Sequence, residues 1–356
     1  MKELFKSKST KNNFITYGMI IAIYIIVQIL LSAGKVSYLL QDLLVPLCIY
    51  AILAVSLNLT VGILGELSLG HAGFMCVGAF AGAFFSVCVK DTMPSDGLRF
   101  LLAVLVGAAC AGIFGILIGI PVLRLKGDYL AIVTLAFGEI IKNILNALYV
   151  GRDVNGFHFS LKDTISLNLS EGGQVIIKGA QGITGTPKDS TFTIGILLLL
   201  ATVIIISNLI KSRTGRAIMS IRDNRIASES VGVPVTRYKI MAFSISAALA
   251  GVAGVLYSHN LSTLAPKNFN YNMSILILVF VVLGGMGNMR GSIIAAVILT
   301  LLPELLRGLN DYRMLIYSIV LIAMMIFNWS PKVKVWRETH SLLQLFGKQK
   351  AGKGEE

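Results

Sequence analysis

The feature that most constrains this chain is a series of ten apolar runs, each close to the length of a helix that crosses a lipid bilayer. Such a helix needs about 20 predominantly apolar residues. Only 14% of the residues are charged, whereas a soluble domain carries about 25%, so the runs must face lipid as well as each other. The sequence therefore predicts an all-α, polytopic transmembrane bundle of about ten spans with broken helices. The runs occupy residues 14–33, 43–61, 68–89, 99–120, 129–150, 192–210, 240–258, 272–286, 291–308 and 313–328.

Lysine and arginine are distributed unevenly between the segments that join these runs. If residues 1–13 are cytoplasmic, twenty of these basic residues lie on the cytoplasmic side and seven on the outer side. This asymmetry satisfies the positive-inside rule, and an even number of spans returns the chain to the cytoplasm. We therefore expect a membrane domain over 14–328 and a cytoplasmic tail over 329–356. The net charge of +13 then serves orientation, and no basic face with interleaved aromatic residues indicates nucleic-acid binding.

Two polar segments interrupt the apolar pattern: residues 151–191, expected outside, and the basic loop, residues 211–239, expected in the cytoplasm. In the basic loop, Ser220 is followed three residues later by Asp223, which resembles a capping box. Gly232 and the proline two residues later end a helix. The pattern predicts a helix of about three turns, too short to be stable alone. Its supporting surface is either a protein partner or anionic lipid.

Glycines form two clusters where apolar runs should continue. Non-helical backbone at membrane depth is tolerated only where it lines a cavity or is packed in protein, so each cluster is either a broken helix beside a path or a tight turn between spans. Asn58, Ser68 and His71 adjoin the first cluster and are candidates for a substrate path. The clusters are Gly62, Gly65, Gly70 and Gly73, and Gly284, Gly285, Gly287 and Gly291.

Glu139 lies near the middle of an apolar run, with Lys142 three residues later and Asn143 beside it. Ionisable groups at this depth are costly and usually face a polar cavity or a partner. Glu139 and Lys142 can also neutralise each other on one helix face. Glu139 and Asn143 are therefore candidates for the path, with a purely structural ion pair as the alternative.

Motifs for catalysis and metal binding are missing from the sequence. It contains no G-x-x-x-x-G-K-[ST] phosphate-binding loop and no H-E-x-x-H zinc motif. The four cysteines lack the spacing of metal ligands. We therefore expect no catalytic site, no cofactor and no metal in this chain.

The stretch from Ser56 to Phe74 resembles the signature of bacterial branched-chain amino-acid ABC permeases. Four further blocks resemble the same family and follow in the same order. The form of the basic loop and the long outer segment resemble the LivM-type subunit. The further blocks are residues 134–141, 215–239, 282–287 and 302–307.

The resemblance implies a permease that pairs with a second homologous permease chain. Two cytoplasmic ATP-binding subunits and an extracytoplasmic substrate-binding protein would complete an importer in the cytoplasmic (inner) membrane. The basic loop would then hold a coupling helix over 221–233 that contacts an ATP-binding subunit. Its expected coupling residues are Arg222, Asp223, Ala227, Glu229 and Gly232.

Other functions stay open at this stage. The same architecture could carry urea or another small solute. An ion-coupled secondary transporter would use Glu139 as its proton or ion site, but the short loop helix and the lack of clear inverted repeats argue against it. A structural membrane scaffold is a further alternative.

Overall fold

The computed structural model describes residues 2–34, 37–90, 92–93, 95–125, 127–153, 156–170, 173–306, 308 and 312–329. The predicted tail over 329–356 lies outside these residues apart from its first position. Lys35, Lys126 and Arg307, which entered the charge count or the family blocks, also lie outside them.

The described part of the chain is mostly helical, and a helix coincides with each of the ten apolar runs. Seven helical stretches are long and apolar enough to cross a membrane. The apolar part of the first helix is shorter, and the last two helices have 17 residues each. The helices are α1 (Lys2–Ser32), α2 (Tyr38–Asn58), α3 (His71–Val89), α4 (Asp96–Val122), α5 (Asp128–Ala147), α6 (Phe192–Lys211), α7 (Arg213–Asp223), α8 (Arg225–Ser230), α9 (Val235–Ser258), α10 (Tyr271–Gly284), α11 (Met289–Leu305) and α12 (Arg313–Trp329).

The chain divides into two compact units, residues 1–298 and 299–356. The first unit contains α1 to α10 and the start of α11, and its core is built by α2, α3, α4 and α9. The described part of the second unit comprises the end of α11, with Pro303 inside the helix, and the apolar helix α12.

Glycines let the backbones of α3, α4 and α9 touch at the centre of the first unit. Gly78 of α3 lies directly against Gly251 of α9, and a Cβ on Gly78 would collide with the Gly251 backbone. A Cβ on Gly251 would lie only 2.7 Å from the carbonyl oxygen of Gly107 in α4. The hydrophobic effect is weak between helices in lipid, so close packing of the backbones holds these helices together instead. This rigid centre supports the loops around it.

The expectation of an all-α chain was wrong for the polar segment. Five short antiparallel strands form one sheet in the order β2-β1-β3-β4-β5. The sheet was missed because its strands are only two to five residues long and the last is contributed by a distant part of the chain. The strands are β1 (Tyr149–Asp153), β2 (Gly156–Ser160), β3 (Gln174–Lys178), β4 (Ile183–Thr184) and β5 (Thr263–Leu264).

Candidate functional site at the end of α2

Helix α2 continues beyond Asn58 as a π-helical turn, Leu59–Leu64, and ends at Gly65 with a φ of +80°. Residues 65–70, the α2–α3 link, are not helical, and α3 begins at His71. The first glycine cluster is therefore centred on a turn between two candidate spans, which is the second of the two alternatives for it. The π-helical turn matters because such turns occur frequently at functional sites.

Asn58 holds the end of α2 to the turn between α10 and α11, residues 285–288. Its Oδ1 accepts a hydrogen bond from the Gly287 N–H at 2.8 Å, and its Nδ2 donates to Ser292 Oγ at 3.0 Å. Asn58 is fully buried. A Cβ on Gly62 would collide with both the Asn58 side chain and the Gly287 backbone. The two glycine clusters are therefore direct neighbours. The oxygen and the nitrogen of the Asn58 side-chain amide both take part in joining them.

His71 is buried at the start of α3, where its Nε2 lies 2.7 Å from Ser56 Oγ. The Ser56 hydroxyl donates to the carbonyl oxygen of Leu53 at 2.9 Å. The contact between Ser56 and His71 therefore joins α2 to the start of α3. Ser68 is also buried, and its Oγ has no hydrogen-bond partner among the described residues.

The first turn of α3 is held by two neighbouring helices. The Leu69 N–H donates to Thr134 Oγ1 of α5 at 3.0 Å, and the Ala72 N–H donates to Ser274 Oγ of α10 at 3.1 Å. The first N–H groups of a helix have no partner within it, so the Ser274 hydroxyl satisfies that of Ala72, while the Thr134 hydroxyl holds the residues just before α3. The predicted path residues Ser68 and His71 therefore lie where α2, α3, α5 and α10 meet.

Glu139 forms the predicted ion pair with Lys142, which confirms the pairing inferred from their spacing. Its other oxygen, Oε1, accepts a hydrogen bond from the N–H of Tyr271 at 3.2 Å. Tyr271 is the first residue of α10, where a carboxylate is favoured by the helix dipole. Glu139 thus joins α5 to α10, and Asn143 lies exposed one turn further along α5.

The basic loop contains two helices instead of the predicted three-turn helix. α7 begins after Ser212, whose Oγ accepts from the Gly215 N–H at 3.1 Å. Ser220, the predicted cap, lies inside α7, and its hydroxyl donates to the Ala217 carbonyl oxygen at 2.9 Å. The capping-box interpretation was therefore wrong: Ser212, just upstream, caps a helix that already includes Ser220.

Asn224 ends α7 and begins α8. Its Oδ1 accepts from the Ala227 N–H at 3.0 Å, and asparagine is as effective as serine at this position. The resulting helix has only six residues, Arg225–Ser230, and Gly232 follows it with a φ of +82°. The predicted single helix over 221–233 is therefore broken at Asn224.

Most of the predicted coupling residues are exposed around α8. Asp223, Ala227, Glu229 and Gly232 are all exposed, and Glu229 pairs with Arg225 at 3.0 Å. Two apolar residues that were not selected from the sequence are also highly exposed. Ile226 and Val231 are 79% and 78% exposed. In the sequence, each could have been recognised as an apolar residue isolated in a polar loop.

Arg222 is exposed as well, with 40% of its side chain accessible, but its guanidinium also reaches the end of α2. Its Nη1 donates to the carbonyl oxygen of Gly62 at 3.0 Å, and its Nε and Nη2 donate to Asp223 Oδ1 at 3.1 and 3.0 Å. A Cβ on Gly65 would lie 2.6 Å from Cγ of Arg222. The arginine thus lies against the last turn of α2.

A second charged contact at the same place was missed from the sequence. Glu66 of the α2–α3 link forms an ion pair with Lys239 in the second turn of α9. The Lys239 side chain is 7% exposed and that of Glu66 is 16% exposed. A buried charge is retained at low cost only when it is paired, so this pair fixes the link to α9. The sequence feature that pointed to this ion pair was a lysine at the edge of an apolar run.

Comparison with known proteins identifies the family to which this arrangement belongs. Residues 39–328 match the family model described as the permease component of branched-chain amino acid transport systems. The chain belongs to this family. As a member of this permease family, it is 36% identical over 300 residues to the high-affinity branched-chain amino acid transport system permease protein LivM of Salmonella typhimurium, which covers 82% of this chain and 68% of that protein.

The permease has further relatives among transport proteins. It is 36% identical over 293 residues to LivM of Escherichia coli K12, covering 80% of this chain and 67% of the relative. It is 22% identical over 256 residues to the LivH permease protein of Salmonella typhimurium, covering 70% and 79%. No solved structure matches the chain significantly. The family is a transport component rather than an enzyme, and the apolar helices of this member fit a multi-pass membrane protein.

Proposed function

We propose that this chain is the LivM-type permease subunit of an ATP-driven importer that moves branched-chain amino acids across the cytoplasmic membrane. The family match over residues 39–328 carries the proposal. The test is uptake of labelled leucine by vesicles that contain this chain and its companion subunits, supplied with ATP and a protonophore. We expect uptake that depends on ATP and survives the protonophore. Uptake that is abolished by the protonophore would instead indicate a secondary transporter, and uptake of urea without leucine would indicate another substrate.

The proposed assembly contains a second homologous permease chain, two cytoplasmic ATP-binding subunits and an extracytoplasmic substrate-binding protein. In this arrangement the chain crosses the membrane ten times, residues 1–13 and 329–356 are cytoplasmic, and residues 151–191 lie outside. The distribution of basic residues supports this orientation. Reporter fusions in 151–191 and in 211–239 test this orientation. A reporter enzyme that is active only outside the cytoplasm should be active when fused in 151–191 and inactive when fused in 211–239.

The proposed contact with an ATP-binding subunit is the exposed surface of α8, made by Ile226, Ala227, Glu229 and Val231. Exposed apolar side chains grouped in a polar segment mark an interaction site. Ile226→Ser with Val231→Ser should reduce co-purification of the ATP-binding subunit, whereas Ser230→Ala, on the same helix, should not. Unchanged co-purification of the double variant would refute docking at this surface.

The proposed substrate path passes the junction of α2, α3, α5 and α10. It involves Ser68 and His71, with Glu139 and Asn143 on α5, and Asn58 as its structural support. The unpartnered, buried hydroxyl of Ser68 supports this proposal, because burying a polar group without a partner is costly. In a chain whose native cysteines are replaced, Ser68→Cys should react with a small polar thiol reagent only in some transport states. Uniform protection during normal uptake would assign the junction to packing alone.

A further inference from the structure

The last turn of α2 has carbonyl groups that need donors from outside the helix. The final carbonyls of any helix lack partners within it, and basic side chains at this end are favoured by the helix dipole. Gly62 lies two residues before the end of the π-helical turn, and Arg222 donates to its carbonyl oxygen. Arg222 is the penultimate residue of α7. One side chain therefore connects the basic loop directly to the backbone of α2.

The contact at Gly62 continues into the α10–α11 turn. Gly62 and Gly287 lie backbone against backbone, and the Gly287 N–H is bonded to Asn58 Oδ1 one helical turn before Gly62. The first contact is made by backbone atoms alone, and the second is made by a fully buried side chain. A shift of the Gly62 carbonyl must therefore move the α10–α11 turn as well, because closely packed backbones transmit strain.

The α2–α3 link, which follows the last turn of α2, is anchored to a different helix. The ion pair of Glu66 with Lys239 ties the α2–α3 link to α9. Ile218 and Ile221 of α7 are buried, so α7 is itself packed and can move only together with the elements that it contacts. Arg222 thus joins the end of α7 to the last turn of α2. The α2–α3 link, which follows that turn, is held to α9.

We propose that Arg222 is a positioning residue that couples movement of α7 and α8 to the last turn of α2 and, through Gly62 and Gly287, to the α10–α11 turn. The role differs from that of a surface contact with the ATP-binding subunit, because Nη1 of Arg222 donates to the carbonyl oxygen of Gly62. The inference rests on the proposed function, since the ATP-binding subunit supplies the movement.

The test compares Arg222→Gln with Arg222→Lys and with a matched control, Arg216→Gln, in the reconstituted complete importer. Arg216 is an exposed arginine on the same helix, and it donates a hydrogen bond to the nearby Lys211 carbonyl oxygen. Leucine uptake and ATP hydrolysis are measured together. For Arg222→Gln we expect the leucine transported per ATP to fall about tenfold, the effect of losing one hydrogen bond from a charged group. The KM for leucine should stay unchanged, Arg222→Lys should retain part of the coupling, and Arg216→Gln should match the unaltered chain.

A second measurement separates coupling from folding. Leu67 of the α2–α3 link is 36% exposed, so Leu67→Cys in a chain without its native cysteines can report movement there. The rate at which a thiol reagent labels it should change when ATP and vanadate are added to the importer with Arg222, and should not change with Arg222→Gln. If ATP and vanadate change the labelling rate equally with Arg222 and with Arg222→Gln, the inference is wrong. It is also wrong if Arg222→Gln leaves the leucine transported per ATP unaltered. An unaltered importer that takes up no leucine with ATP overturns the proposed function, and the inference with it.

Discussion

Asn58 offers the most direct test of how this permease is held together. In Asn58→Ala the Gly287 N–H loses its acceptor and Ser292 loses a donor. An orphaned donor costs about 1–3 kcal/mol and an ordinary hydrogen bond contributes about 0.5–1.5 kcal/mol. The expected loss is therefore about 2–4 kcal/mol of the free energy of unfolding.

The size of the expected temperature shift follows from the length of the chain. An unfolding entropy of about 2.1 cal/mol/K per residue amounts to about 0.75 kcal/mol/K for this chain. The melting temperature of Asn58→Ala should fall by about 3–5 °C. The comparison is Ser292→Ala, which leaves the bond from Gly287 to Asn58 in place but orphans Asn58 Nδ2. At about 1–3 kcal/mol for an orphaned donor, its melting temperature should fall by about 1–4 °C.

The native cysteines provide the assay. Cys48 and Cys76 are 3% and 0% exposed, so a fluorogenic thiol reagent reports unfolding of the purified protein in detergent as they become accessible. If Asn58 acts through the packing of α2, the surviving protein should transport leucine with an unchanged KM. An unchanged melting temperature, combined with a raised KM, would refute the structural role and place Asn58 in contact with substrate.

Three further changes test other contacts of the fold. Glu139→Gln should lower the free energy of unfolding by about 1–1.5 kcal/mol, because the hydrogen bond to the N-terminus of α10 becomes a neutral one; an unchanged melting temperature would contradict this. Gly251→Val should prevent a monodisperse gel-filtration peak because Cβ collides with α4, whereas Gly97→Ala, at an open position, should leave the peak unaltered. Lys239→Met should cost about 3 kcal/mol by leaving Glu66 buried and unpaired; thermal melting should show partial recovery when Glu66→Leu is added, and a double variant no more stable than Lys239→Met alone would argue against the pair.

Local patterns in the sequence were enough to predict where the apolar helices lie. A run of about 20 apolar residues has few stable conformations in lipid other than a helix, and all ten runs contain one. The Glu139–Lys142 pair was also predictable, since residues three apart on a helix are neighbours whatever surrounds them. The family blocks, likewise, were identified from consecutive residues.

Tertiary structure decided the contacts that join distant segments. The sheet needs β5 from beyond α9, and the bond between Asn58 and Gly287 joins residues on two separate helical hairpins. Ser220 and Asn224 are both acceptable helix caps by composition, so only the packing of α7 showed which residue begins α8. Arg222 could equally have faced the cytoplasm, because the direction of a long side chain depends on the acceptor within its reach. That acceptor, the Gly62 carbonyl oxygen, is brought to the basic loop only by the folded arrangement of α2 and α7.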